Sequence, residues 1–191
     1  GSAEPSAMNL YLHVPFCNGK CAYCAFYSEP VFSLPLWNRW LERIERELDR
    51  VTSPVSTLYL GGGTPTLAPV EELERLGKLL RSRLTFHADS ERSIECNPET
   101  VTPEKASLLA EYFNRISMGA QSFSANSLHA IGRTACDPDI IRSAYAELRR
   151  AGNRNIGLDL MYALPGQSCD DFAADLNAVS YTHLTLPTNS L

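Results

Sequence analysis

Residues 10–24 read LYLHVPFCNGKCAYC: an alternating run from Leu10 to Val14, then Cys17, Cys21 and Cys24 in a C-x3-C-x2-C spacing. On a strand, Leu10, Leu12 and Val14 share one face, and Tyr11 and His13 share the other. Three thiolates on one short loop can hold three irons of a four-iron, four-sulfur cluster and leave the fourth iron without a protein ligand. An iron with an open position can bind a small molecule and pass it an electron. The spacing therefore points to chemistry as well as structure. Structural zinc is the competing reading, but it normally needs four ligands. His13, Cys96 or Cys136 would have to supply the fourth.

Beyond this loop, apolar strand-like runs alternate with segments of helical period. Trp37, Trp40, Leu41, Ile44, Leu48 and Val51 make the first helical stripe. Thr57–Leu60 is the next strand, and it ends at Gly61-Gly62-Gly63. A second helix carries Val70, Leu73, Leu76, Leu80 and Leu84, with Glu71, Glu72 and Glu74 early and Lys78, Arg81 and Arg83 late, as the helix dipole favours. Ser93–Cys96 is the third strand. Thr102-Pro103 then opens a helix through Leu109 and Tyr112. Arg115–Ala120 is the fourth strand, followed by a short helix around Ser127–Ile131. A longer helix is opened by Asp137-Pro138 and closed by Gly152. Asn155–Tyr162 is the fifth strand. Repeated strand–helix units predict an α/β fold on a parallel sheet.

Strands buried on both faces read as continuous apolar runs, and several of these do not. Glu95 alternates with Ile94 and Cys96. Ser117, Gly119 and Gln121 alternate with Ile116, Met118 and Ala120, and Asp159 interrupts Leu158 and Leu160. With Tyr11 and His13, these residues predict a polar inner face around a cavity, as in a barrel or part of one.

The net charge of −5 gives no reason to expect a nucleic-acid partner. No apolar run approaches the roughly 20 residues of a membrane span. Gly1–Ala7 lacks the basic and apolar regions of a signal peptide, so the cytoplasm is the expected compartment. There the six cysteines are not a disulfide framework, and Cys96, Cys136 and Cys169 read as ordinary thiols. Gly1-Ser2 has the form of a cloning remnant and Met8 that of a natural start.

Tyr11-x-His13-x-Pro15-Phe16-Cys17, Cys21-Ala22-Tyr23-Cys24 and Gly61-Gly62-Gly63-Thr64-Pro65-Thr66 together resemble the radical S-adenosylmethionine (SAM) family. Ser93–Pro98, Arg115–Phe123 and Asp159–Gly166 extend the resemblance. They narrow it to the branch of oxygen-independent coproporphyrinogen III oxidases and heme chaperones. The resemblance implies a partial parallel (β/α)6 barrel, truncated after about the fifth unit. It also implies a [4Fe–4S] cluster on Cys17, Cys21 and Cys24, whose free iron is chelated by the amino and carboxylate groups of SAM. One electron then cleaves the sulfonium to methionine and a 5′-deoxyadenosyl radical. SAM contacts carry over onto Tyr11, Gly62, Gly63, Thr64, Glu95, Gln121, Arg133 and Asp159. His13 is expected to be structural. Arg133 rests on resemblance alone, and the alternative for it is a solvated surface arginine.

Two departures separate the sub-branches. The resembling oxidases carry a further cysteine two residues after the third, where this chain has Phe26, and a longer extension ahead of the tyrosine. Both features favour a heme chaperone, with heme or porphyrin as ligand in the full-length protein. The implied partners are a recipient hemoprotein, expected to be membrane-associated, and a small electron donor such as a flavodoxin or ferredoxin. The alternatives are the oxidase itself and a heme- or cluster-binding module that never turns SAM over. Residues 1–8 read as an extension or tag remnant and 9–178 as an incomplete radical SAM core. Val179–Thr188, VSYTHLTLPT, matches one reading frame of a common transposon sequencing adapter, so residues 179–191 are expected to be a non-native tail.

Overall fold

All five expected strands form and join one sheet in the order β1 (Met8–Val14), β2 (Val55–Gly62), β3 (Phe86–Cys96), β4 (Arg115–Gln121) and β5 (Ile156–Leu160). Every pairing is parallel. The structure, a computed structural model, describes residues 8–184. The start of the expected N-terminal extension (1–7) and the end of the expected tail (185–191) lie outside the described residues. The sheet is not closed, so the expected partial barrel is an open wall with β1 and β5 at its edges.

The connections are helical: α1 (Leu34–Leu48), α2 (Val70–Arg83), α3 (Pro103–Tyr112), α4 (Ala125–Ala130) and α5 (Pro138–Arg150), with α6 (Cys169–Leu184) after β5. Local chemistry explains where several begin. The Thr102 hydroxyl accepts from Lys105 N at the start of α3, and the Asp137 carboxylate accepts from Asp139 N and Ile140 N at the start of α5. Glu71 and Glu72 open α2, and Arg81 and Arg83 close it.

Leu12, Val14, Leu58, Leu60, Ile94, Ile116 and Met118 form one buried cluster with Trp37 and Leu41 of α1, Leu76 and Leu80 of α2, Leu109 of α3 and Ile141 and Leu148 of α5. This is the apolar half of the alternation read from the sequence. At about 25 cal/mol per Å² of apolar surface, burial of these side chains is the main stabilising term. Helices α2 and α3 approach closely at Gly77, where a β-carbon would fall 2.5 Å from the Tyr112 ring. Glycine there serves packing, not flexibility.

Several boundaries differ from the sequence reading. β3 begins at Phe86 rather than Ser93, because Val55 pairs with Phe86 and Thr57 with Glu91. The intervening polar residues bulge out of register and carry no alternation to reveal them. α4 starts at Ala125, two residues early, because the Ser124 hydroxyl accepts from Ser127 N and caps it. α6 continues to Leu184 and so runs into the segment expected to be a tail.

Candidate functional site

The polar half of the alternation lines a cavity of about 210 Å³ at the carboxyl ends of the strands. Parallel α/β sheets generally bind ligands at that end. Cys17, Cys21 and Cys24 form one wall, and Gly62, Gly63, Thr64, Glu95, Gln121, Arg133 and Asp159 contribute to the rest. Every expected cluster and SAM residue is thus brought together except Tyr11. That residue stands on β1 outside the lining, 53% exposed, with its ring stacked on Tyr59 at 6.1 Å.

The cysteine loop is held by its backbone. Cys17 N donates to Glu29 O at 2.9 Å, Gly19 N to Pro30 O at 2.9 Å, and Cys24 N to Cys21 O at 3.1 Å. Ala22 N reaches Ile131 O at 3.3 Å, which ties the loop to the segment carrying Arg133. Among the described residues, no three His, Cys, Asp or Glu side chains converge as ligands of a single metal ion. A tetrahedral zinc with bonds of about 2.3 Å would need sulfurs within about 4 Å of one another.

His13, expected to be structural, makes two hydrogen bonds within the fold. Its Nε2 lies 2.9 Å from Tyr27 O, a pure acceptor, so Nε2 carries the proton. Nδ1 then accepts from the Tyr11 hydroxyl at 3.1 Å. Both ring nitrogens are occupied, which removes His13 as a zinc ligand. Cys96 is buried, and burial raises its thiol pKa strongly. Burial likewise pushes Cys136 up to about 11. Both stay protonated near neutrality. Cys169 is exposed and distant in sequence from the loop.

The glycine loop is more tightly used than its composition suggests. Gly62 has φ of +110°, and a β-carbon there would overlap the His13 ring. A β-carbon on Gly63 would fall 2.8 Å from Val14 O and overlap Phe16 O. Gly62 N donates to Glu95 Oε2 at 3.0 Å, Gly63 N to Val14 O at 2.8 Å and Thr64 N to Phe16 O at 2.7 Å. Since these N–H groups are spent, the backbone of the loop can offer a ligand only carbonyl acceptors. That suits an N–H donor such as an amino group and not a phosphate.

Glu95 also accepts from the Tyr59 hydroxyl at 2.8 Å. Burial, then the bond to Glu95, pushes the Tyr59 pKa up to about 12, so the phenol remains a donor. The Ser117 hydroxyl donates to Asp159 Oδ2 at 2.7 Å. Gln121 occupies the left-handed region at φ of +66°. Arg133 is not a solvated surface residue. It is 5% exposed and pairs with Glu99 at 3.0 Å. Burial works against its charge, but Glu99 and Tyr23 outweigh burial and hold its pKa above the ordinary value. Its Nε is buried with no partner.

Sequence reading placed Ser117 on the polar inner face but gave no role to Tyr59 or Asn97, which bond to Glu95 and Thr64. Tyr59 was legible in principle, because it alternates with Leu58 and Leu60 on β2.

A profile of the radical SAM superfamily matches residues 11–179. The chain belongs to that superfamily. Membership implies a [4Fe–4S] cluster and SAM. The three cysteines on one cavity wall, the acceptor loop and the orphaned Arg133 Nε fit that pair. Among curated relatives of this radical SAM chain, the heme chaperone HemW of Escherichia coli (strain K12) is 33% identical over 201 residues, covering 96% of this chain and 52% of that protein. HemW of Lactococcus lactis is 34% identical over 181 residues, covering 94% and 47%. The oxygen-independent coproporphyrinogen III oxidase of Escherichia coli (strain K12) is 34% identical over 179 residues, covering 91% and 39%. The chain spans about half the length of the HemW relatives it matches. Among solved structures, the radical SAM coproporphyrinogen III oxidase HemN from Escherichia coli superposes with a TM-score of 0.82 at 33% identity, covering 92% of this chain and 42% of that one. The methyltransferase TsrM from Kitasatospora setae, at TM-score 0.69 and 13% identity, shares the fold alone. Among the described residues, no helix is long and apolar enough to cross a membrane.

Proposed function

We propose that this chain is the cluster- and SAM-binding part of a cytoplasmic heme chaperone of the HemW type. In this reading Cys17, Cys21 and Cys24 hold three irons and leave the fourth for the amino and carboxylate groups of SAM. The bound pair supplies one-electron reductive chemistry at the SAM sulfonium. The chain's residues bind, orient and exclude competing reactions. The orphaned Arg133 Nε would donate to the SAM carboxylate, and the carbonyls of Gly62, Gly63 and Thr64 would accept from the N–H groups of its amino group. Glu95 and Asp159 accept from ligand hydroxyl groups, Gln121 offers its amide, and Tyr11 completes the set from β1. In the full-length protein heme is bound and passed to a membrane-associated hemoprotein, with a flavodoxin or ferredoxin as electron donor.

One observation carries the choice of chaperone over oxidase. Phe26 lines the cavity two residues after Cys24 and is 63% exposed, at the place where the resembling oxidases carry a further cysteine. The HemW relatives support the same side. The oxidase is the second reading, and the likeness in sequence and structure to HemN favours it. The test is heme titration and coproporphyrinogen III turnover measured side by side on the full-length protein. Heme binding without protoporphyrinogen IX formation is expected. Protoporphyrinogen IX formation would replace the chaperone with the oxidase.

A further inference from the structure

Asn97 belongs to the Ser93–Pro98 motif, yet neither the cluster nor the SAM assignment gives it a role. Its Nδ2 donates to the Thr64 hydroxyl at 3.0 Å. That hydroxyl in turn lies 3.3 Å from Cys17 Sγ. Thr64 is 4% exposed, so water does not compete for these bonds. We infer that Asn97 and Thr64 form a hydrogen-bond relay that orients the Cys17 sulfur and raises the reduction potential of the cluster it holds. The inference rests on the proposed cluster ligation.

The direction of the relay follows from donor counting. A cysteine bound to iron is a thiolate and has no proton to give. Thr64 must then be the donor to Cys17, and Asn97 fills an acceptor position on the same oxygen. The glycine loop is what delivers Thr64 to this place. Gly63 N and Thr64 N bind Val14 O and Phe16 O, which pins the end of β2 against the residue just before Cys17. A side chain at Gly63 would strike that backbone. The loop's missing β-carbon therefore serves the approach to Cys17 as well as the approach of a ligand.

An O–H dipole aimed at a cluster sulfur stabilises the extra electron density of the reduced state, and hydrogen bonds of this kind are among the factors that set cluster potentials. Thr64 and Asn97 are thus positioning residues that act through Cys17. Thr64→Val keeps the shape of the side chain and removes the donor. Thr64→Ser keeps the donor. Asn97→Leu removes the donor to Thr64 and leaves the Thr64 hydroxyl in place.

The test is an EPR-monitored redox titration of the reconstituted full-length protein, with iron content measured on each variant. Thr64→Val is expected to shift the midpoint to more negative potential, with Thr64→Ser near wild type and Asn97→Leu in between. A Thr64→Val protein with full iron content and an unchanged potential would overturn the inference. So would a Thr64→Val variant that loads no cluster while Asn97→Leu loads fully at the wild-type potential. A wild-type protein that takes up no cluster would overturn the parent assignment, and this inference with it.

Discussion

Arg133 concentrates the chemistry of the site in one side chain. Its guanidinium is buried, its charge is balanced by Glu99, and its buried Nε lacks a partner. A buried donor without an acceptor costs about 1–3 kcal/mol, a cost that a ligand carboxylate would relieve. Lysine retains the charge but presents no planar fork. Arg133→Lys is therefore expected to weaken SAM binding about tenfold, close to 1.4 kcal/mol. Equilibrium dialysis of the reconstituted protein would check this, with iron content unchanged. A single arginine in a loop gives no periodic signal, so only its place among the motifs marked it. The groups that hold its charge, Glu99 and Tyr23, lie far apart in sequence. Glu95, Gln121 and Asp159 were legible from two-residue alternation, because a strand faces each side in turn. Tyr59 followed the same rule and was missed, because aromatic residues are at home in any strand.

At the scale of elements, the sequence located strands and helices well where apolar period or capping chemistry was present. It failed at the start of β3, where polar residues bulge out of the ladder. It also gave no hint of how α6 docks. Asp175 on α6 is 2% exposed and accepts from Ser122 Oγ at 2.9 Å, Phe123 N at 2.6 Å and Gln167 Nε2 at 3.2 Å. One carboxylate thereby fastens α6 to the turn after β4, next to the left-handed Gln121. Asp175→Ala would leave the Phe123 N–H and the Ser122 hydroxyl without this acceptor in a buried place, at about 3 kcal/mol. Urea denaturation should show that loss. SAM affinity should fall as Gln121 loses its support, while iron uptake on the opposite wall persists. Unchanged SAM affinity in a destabilised variant would separate Gln121 from the ligand.

The whole molecule is an open parallel sheet with one greasy face and one polar face. Helices α1, α2, α3 and α5 pack on the greasy side. The polar side gathers the three loop thiols, two carboxylates, an arginine and an acceptor loop around one cavity, which Cys96 also lines. Parallel strands project their carboxyl-terminal loops from the same end, so residues distant in sequence meet there without special folding. That geometry made the site readable from ordered motifs, whereas the interior hydrogen bonds required coordinates. The central claim is that this end of the sheet holds a cluster whose open iron receives SAM. The most direct measurement is EPR of the reduced, anaerobically reconstituted full-length protein, recorded with and without SAM. A [4Fe–4S] signal is expected that SAM alters and that disappears when Cys17, Cys21 and Cys24 are replaced by alanine. A colourless zinc protein, or a cluster signal indifferent to SAM, would contradict the claim.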